Sequence, residues 1–133
     1  MYQNKERVSS LLNLTIQEME LLGKMSVEIK CPDDFVTSIS GMTVFRACGM
    51  SLQFITESFV KIRNLCGQEF FSQYKTIPWS AVFGMRNFLS HEYGDVDAEG
   101  IYNTVKENVP KLLETTRQIL SAVQSGELDQ YLQ

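Results

Sequence analysis

The sequence predicts an all-α fold, an up-and-down bundle of four or five helices. Apolar residues recur at spacings of three and four along most of the chain, and no stretch shows the strict apolar–polar alternation of a half-buried strand. The connections between the periodic segments are short, which favours antiparallel neighbours. A chain of 133 residues is expected to form one domain that buries roughly two-thirds of its unfolded surface.

The composition is that of an ordinary globular protein. Hydrophobic residues make up 44% of the chain and charged residues 21%, and no apolar run is long enough to span a membrane. An amphipathic segment, and not an apolar signal core, follows the first residues, so we expect a cytoplasmic protein with no membrane association. Cys31, Cys48 and Cys66 fit neither a disulfide framework nor a zinc site. With one histidine in the chain, we predict no metal and no cofactor.

The first two helices follow from apolar spacing. Residues 4–29 carry apolar positions close to helical spacing, with Gly23 as an interruption and Cys31-Pro32 as the end, because a residue before proline disfavours helical angles. Residues 42–65 form a second helix whose apolar residues are separated by three and four, which suits antiparallel packing. These apolar residues are Phe45, Cys48, Leu52, Ile55, Phe59 and Ile62.

A connector and a short helix are predicted on either side of the central helix described below. Residues 66–77 form the connector, and Phe70, Phe71 and Tyr74 are expected to hold it against the core. Asp97 is a suitable N-cap for a short helix that ends near Asn108.

The last helix is predicted to begin at Pro110 and to stop near Gly126. We therefore divide the chain into a single helical domain, residues 1–125, and a C-terminal tail, residues 126–133. The tail is expected to be frayed or dependent on a partner.

The central helix, from Pro78 to about Tyr93, holds the chain's one histidine and one tryptophan. Pro78 suits a first helical turn, and Gly94 suits a left-handed C-terminal cap. A helical wheel predicts one broad apolar face on this helix. That face consists of Trp79, Val82, Phe83 and Leu89.

Polar residues interrupt and border this apolar face. Arg86 and Tyr93 project from its middle, where a charge needs a partner. Gly84, Asn87 and His91 follow one another at spacings of three and four along its edge, and we call these three residues the polar seam. A structural interpretation is an arginine paired with carboxylates, a histidine near the helix end and a core tyrosine. A functional interpretation is a site that a ligand approaches closely at Gly84.

The segment Arg86-Asn87-Phe-Leu-Ser-His91-Glu-Tyr93 resembles the signature of HEPN-domain proteins. The resemblance is to the HepT-like toxins, which are paired with minimal nucleotidyltransferases. Flanking strings match as well, and residues 42–120 are covered well, whereas the first helix matches in general character only. The matching strings are Ile77-Pro-Trp, Gly-Met-Arg-Asn, Tyr93-Gly-Asp-Val-Asp97 and Asn108-Val-Pro-Lys-Leu-Leu113.

This resemblance implies a toxin-type, metal-independent endoribonuclease whose Arg–His motif lies at a homodimer interface. It implies that Arg86, Asn87 and His91 act on an RNA substrate. In HepT-like toxins the tyrosine of the motif receives AMP from the partner nucleotidyltransferase. Tyr93 is therefore the expected modification site, and a cognate nucleotidyltransferase is the expected antitoxin.

The same residue types suit RNA cleavage on chemical grounds. A histidine can serve as general base or acid, and the planar guanidinium of arginine can bind two phosphate oxygens at once. Asn87 can hydrogen-bond the phosphate or orient His91. Five residues along a helix, Arg86 and His91 diverge by about 140°, so one helix converges them poorly. A two-fold dimer that pairs this helix with its copy brings two sets into one cleft.

The formal net charge of −4 favours a second function, because phosphate binding usually requires a basic surface. In this alternative the chain is a non-catalytic nucleotide-binding, substrate-binding or docking subunit of a nucleotidyltransferase complex. Arg86 and His91 then bind phosphates without cleaving RNA. A third possibility, a plain helical interaction module, explains the apolar faces but gives the polar seam no role.

Overall fold

The computed structural model describes residues 3–91 and 98–133, and side chains over residues 4–85 and 98–133. Within these residues the fold is all-α, as predicted, and contains no strand. The described residues form five α-helices, α1 to α5. Turns of 3-10 helix lie in two of the connections, at Pro32–Phe35 and Gln68–Phe70, and a third follows α5 at Asp129–Tyr131. The helices are α1 (Gln3–Met25), α2 (Ile39–Cys66), α3 (Trp79–His91), α4 (Ala98–Asn103) and α5 (Val109–Ser125).

Helix α1 ends four residues earlier than predicted, and Gly23 does not interrupt it. The Leu22 carbonyl oxygen accepts from the Ser26 N–H over 3.1 Å, and the Ser26 hydroxyl donates to the carbonyl oxygens of Leu22 and Gly23. These bonds satisfy carbonyl groups at the end of the helix. The ammonium of Lys106 then donates to the Ser26 carbonyl oxygen over 2.7 Å. The partial negative charge at the C-terminal end of α1 also stabilises the Lys106 cation at this position. Ile29 is buried as predicted, although it lies beyond the helix.

Helix α2 begins three residues before the predicted start because Ser38 caps it. The Ser38 hydroxyl accepts a hydrogen bond from the Gly41 N–H over 2.9 Å. Gly41 is required by a close approach, since a Cβ atom there would overlap the backbone carbonyl of Asp34. The turn before α2 therefore packs directly on its first residues.

The core is built around α2, which packs against α1 on one side and α3 on another. Five of the six residues in the predicted α2 series are confirmed as core, since Cys48, Leu52, Ile55, Phe59 and Ile62 are all at most 2% exposed. The sixth, Phe45, is half-buried and packs against the core. Helix α1 contributes Val8, Leu12, Met19 and Leu22, and α5 contributes Leu112, Ile119 and Val123.

The predicted start of the last helix at Pro110 is confirmed to within one residue, because α5 begins at Val109, but no loop separates it from the preceding helix. A π-helical segment, Thr104–Asn108, joins α4 directly to α5, so the chain stays helical from Ala98 to Ser125. Pro110 has no N–H, and its ring clashes with the carbonyl four residues back in an α-helix. The wider π turn accommodates both effects, and the Val109 N–H donates to the Thr104 carbonyl oxygen, five residues back. The predicted stop at Gly126 is confirmed, with φ of 91° in a left-handed cap.

The expectation of a frayed C-terminal tail is also wrong. Leu128 is 1% exposed and Leu132 is fully buried. The Lys5 ammonium lies 3.0 Å from an Asp129 carboxylate oxygen, and the Tyr131 ring stacks edge-on against Phe70 with centroids 6.0 Å apart. Residues 126–133 therefore close one end of the bundle.

The cysteines are free thiols. Cys31 is exposed, Cys48 is buried and Cys66 is half-buried. Burial raises the pKa of the Cys48 thiol to about 11 and that of Cys66 to about 11, so both stay protonated at neutral pH.

A membrane span was excluded on the sequence. Over the described ranges, no helix has both the length and the apolar character that crossing a bilayer requires.

Candidate functional site

Helix α3 carries the candidate site, and aromatic contacts fix its first turn. The Trp79 indole N–H donates to the Tyr74 carbonyl oxygen over 2.9 Å. Its ring lies 4.5 Å from the Phe71 ring and 5.5 Å from the Phe59 ring, measured between centroids. The connector and α2 therefore hold the start of α3 from two sides.

The predicted apolar face of α3 is confirmed where side chains are described. Trp79, Val82 and Phe83 are half-buried and pack on the core, whereas Leu89 lies outside the described side chains. The guanidinium of Arg63, on α2, lies 4.5 Å from the centroid of the Phe83 ring. This cation–π contact is a second attachment of α3 to α2.

The polar seam begins on the open side of α3. Gly84 is exposed, and a Cβ atom added there would meet no heavy atom within 4 Å. Asn87 and His91 lie three and seven residues further along the same helix. Helical geometry places all three on one side. That side therefore has a bare backbone patch at its start, as expected for a surface that another molecule approaches.

The structure places the candidate catalytic residues only in part. Arg86, Asn87 and His91 belong to α3, but their side chains lie outside the described part of the chain. Tyr93 and the predicted cap at Gly94 lie outside the described residues altogether. The backbone thus joins three of the residues in one helix, and their mutual contacts stay predictions.

A cavity that sequence analysis missed lies beside α3. It has a volume of about 180 Å³ and is bounded by Leu52 and Ile55 of α2, by Val82 and Met85 of α3, and by Val109 and Leu112 of α5. Val82 and Met85 lie on a different side of α3 from the polar seam. Its walls are mainly apolar, and Lys111 is the one titratable side chain among its lining residues. No sequence signal marks it, because it arises where α3 and α5 meet α2.

The described side chains do not form a metal site. Among them, no three histidine, cysteine or carboxylate side chains lie close enough together to hold an ion. The sequence prediction of no metal extends to residues outside that set and stays a prediction.

The fold and site define a class: a helical bundle with an Arg–His segment on a helix that packs on the core with one face. The model of the family described as "Ribonuclease HepT-like" matches residues 15–119, which include α2, α3 and most of α5. This chain belongs to the HepT-like family.

Named relatives agree with this assignment. The "Putative RNase TTE0752" of Caldanaerobacter subterraneus is 35% identical over 75 residues, 56% of this chain and 63% of the relative. The "Probable ribonuclease HepT" of Thermococcus cleftensis is 33% identical over 97 residues, 72% of this chain and 80% of the relative.

A third relative is longer than this chain. The "Gamma-glutamylcyclotransferase and putative RNase MJ0434" of Methanocaldococcus jannaschii is 29% identical over 129 residues, which cover 96% of this chain and 54% of the relative. The chain thus spans less than two-thirds of two of these relatives. No solved structure matches the chain significantly.

Proposed function

We propose that this protein is a metal-independent endoribonuclease of the toxin type, with Arg86, Asn87 and His91 in a cleft between two copies of the chain. One observation carries the proposal: the HepT-like match extends across α3, and α3 presents the polar seam from a helix whose backbone is open at Gly84. A structural arginine and histidine do not require that open patch. RNA as substrate and a partner that uses ATP both favour the cytoplasm.

The chemistry needs two proton-transfer groups and a cation. One His91 removes the proton from a ribose 2′-hydroxyl, whose oxygen attacks the adjacent phosphorus. The second His91 protonates the departing 5′-oxygen, so that the products are a 2′,3′-cyclic phosphate and a free 5′-hydroxyl. The guanidinium of Arg86 holds the charge that builds on the phosphate oxygens. Asn87 donates a hydrogen bond to the phosphate or to His91.

Two copies are needed because one histidine cannot act as base and acid at once. Paired arginines also supply local positive potential in a chain whose net charge is −4.

The test is cleavage of labelled RNA by purified protein in excess chelator. We expect cyclic phosphate ends, and a loss of roughly 10²–10⁴-fold in rate in His91→Ala, which removes the acid–base group. Arg86→Ala should lose activity to a comparable degree. Arg117→Ala is the matched control, because Arg117 lies on α5, is exposed and pairs with Glu20 of α1. Chelator-sensitive cleavage, or full activity of His91→Ala, would contradict the proposal.

A steric test uses glycines. Gly84→Leu should leave folding intact, because the position is open, but should obstruct the seam and slow cleavage. Gly23→Leu is the control, since Gly23 is equally open and lies on α1. If the two variants cleaved RNA at equal rates, the polar seam would have no part in the reaction.

The second candidate is a non-catalytic docking subunit of a nucleotidyltransferase complex, favoured by the acidic net charge of −4. It predicts that Arg86→Ala weakens binding of nucleotide phosphates while no preparation of the wild-type chain cleaves RNA. The cleavage assay described above therefore separates the two candidates.

A further inference from the structure

Arg63 of α2 is held against α3 by an aromatic ring. Its guanidinium carbon lies 4.5 Å from the centroid of the Phe83 ring. The Phe83 ring also lies 5.6 Å from the Phe71 ring, measured between centroids, so the connector fixes it from a second direction. Arg63 is half-buried, and this packing restricts a long side chain that would otherwise sample many rotamers.

Phe83 is the member of the apolar face of α3 that lies nearest to the polar seam. At 100° per residue, Asn87 lies about 40° from Phe83 around the helix and His91 about 80° from it. Phe83 and Asn87 are one turn apart, with about 5–6 Å between the Cβ atoms of such a pair. The guanidinium of Arg63 therefore lies at the end of the seam that begins with Gly84.

No acidic side chain among those that the structure describes forms an ion pair with Arg63. Ion pairs are formed instead by Lys5 with Asp129 and by Arg117 with Glu20. On α2 itself, the positions three and four residues before and after Arg63 hold no carboxylate. Acidic residues outnumber Lys and Arg by 16 to 12 in the chain, so carboxylates are not scarce. The charge of Arg63 therefore stays available to an anion.

The contact with Phe83 leaves the hydrogen-bond donors of Arg63 unused. A cation–π contact places the positive charge over the ring face, whereas the five N–H donors of a guanidinium point outward in its plane. Within the described part of the chain, these donors have no hydrogen-bond acceptor. An arginine that is fixed on a ring and keeps its donors suits phosphate oxygens, two of which its planar fork can bind at once.

We infer that Arg63 binds a phosphate of the RNA strand next to the phosphate that is cleaved, an inference that rests on the proposed function. His91 lies eight residues beyond Phe83, which is about 12 Å along the axis of α3. Arg63 is therefore placed for a neighbouring phosphate and not for the scissile one. The polar seam holds the cleaved phosphate, and Arg63 anchors the strand at one end of the seam. The substrate is then an oligoribonucleotide with at least two phosphates.

The first test measures cleavage of a labelled oligoribonucleotide by wild type and Arg63→Gln. The variant should raise KM by about tenfold or more, the loss expected for one hydrogen bond to a charged group. Its kcat should change little, because the contact lies away from the reacting atoms. Lys61→Gln is the matched control, since it removes the same charge from an exposed position of α2, about 200° from Arg63 around the helix.

The second test measures binding of the same oligoribonucleotide at several salt concentrations. The slope of log affinity against log salt should become shallower by about 0.7 in Arg63→Gln, the contribution of one phosphate contact on a single strand. Arg63→Lys should keep the wild-type slope, because it keeps the charge. Melting temperatures of all variants verify that the fold is unchanged.

A shorter substrate separates phosphate binding from a purely structural role. A dinucleoside monophosphate has one phosphate and gives Arg63 nothing to bind, so the difference in kcat/KM between wild type and Arg63→Gln should largely disappear. A loss of equal size on both substrates would mean that Arg63 only fixes α3, and it would overturn the inference.

Failure of the proposed function gives a different pattern, because binding is measured without cleavage. If wild type cleaves no RNA but Arg63→Gln still makes the salt slope shallower, the phosphate contact stands and the nuclease is removed. If wild type cleaves RNA and Arg63→Gln changes neither KM nor the salt slope, the nuclease stands and the role of Arg63 is overturned.

Discussion

At the scale of single residues, we expect Tyr93 to be the position at which a partner nucleotidyltransferase controls the proposed nuclease. Transfer of AMP from ATP to its hydroxyl forms a phosphodiester, releases pyrophosphate, and adds a negative charge and a purine two residues from His91. RNA phosphates would then meet both repulsion and a steric block. Tyr93→Phe should fold and cleave RNA but escape the antitoxin.

The measurement is intact mass after co-expression with a minimal nucleotidyltransferase and ATP. The wild-type chain should gain whole AMP units, and Tyr93→Phe should gain none. Tyr102→Phe is the matched control, because the Tyr102 hydroxyl already donates to the Lys30 carbonyl oxygen. A mass gain that persists in Tyr93→Phe would place the modification on another residue.

Asp34 gives a pH-dependent prediction. Its carboxylate accepts hydrogen bonds from the backbone N–H groups of Lys30 and Cys31, over 2.7 and 3.3 Å. These bonds, the first above all, lower the pKa of Asp34 below its ordinary value. Because the folded pKa is the lower one, the stabilisation is present above the unfolded pKa and is lost as pH falls through the folded pKa.

Below about pH 4, the wild-type melting temperature should therefore fall more steeply than that of Asp34→Asn. Asp33→Asn is the control, since Asp33 is an exposed neighbour. Parallel curves for wild type and Asp34→Asn would show that the two hydrogen bonds contribute nothing to stability.

At the scale of elements, the apolar spacing of α2 was sufficient to predict its buried face, because a long helix at the centre of a bundle must bury one continuous stripe. Helix ends were harder. The carbonyl group of Ser26, just after the end of α1, is bound by Lys106, which is distant in the chain. The π segment lies just before Pro110, in a stretch of helix whose Val105, Val109 and Leu112 are buried. The start of α2 had a local signal, because Ser38 is a favourable N-cap residue.

The candidate site divides in the same way. The Arg–His segment and its helix were predictable because a signature is local. The Arg63–Phe83 contact and the cavity beside Val82 could not be predicted. Both arise from packing between helices, and the sequence pattern does not show how the helices are placed relative to one another. The contacts of Arg86 and His91 stay predictions for the same reason: a partner copy is expected to supply half of them.

Gly41 tests the packing of α2 on the turn before it, and Gly23, on α1, is the control. Gly41→Ala should destabilise the fold by about 1–3 kcal/mol, the usual cost of overpacking, because the new methyl group overlaps the Asp34 carbonyl. Gly23→Ala should instead stabilise it by about 0.5–1 kcal/mol, since alanine is the better helix former and the position is open. Chemical denaturation measures both, and opposite signs are expected.

At the scale of the whole molecule, the C-terminal tail determines whether the bundle is closed. Leu128, Tyr131 and Leu132 follow a helical spacing within a polar segment, and that spacing was the signal that could have predicted their burial. Leu128 and Leu132 belong to the main hydrophobic core, so closing one end of the bundle with these side chains adds directly to that core.

Leu132→Ala should therefore cost about 2–5 kcal/mol in the free energy of unfolding, the range for a buried leucine that leaves a cavity, because Leu132 is fully buried. Lys5→Ala should cost less than about 1 kcal/mol, since its ion pair with Asp129 is partly exposed and screened by solvent. Ile39→Ala, at a position 84% exposed, should stay within about 0.5 kcal/mol of wild type. Urea denaturation followed by circular dichroism ranks the three. If Leu132→Ala unfolded together with Ile39→Ala, the tail would be frayed after all, and the core would end at Gly126.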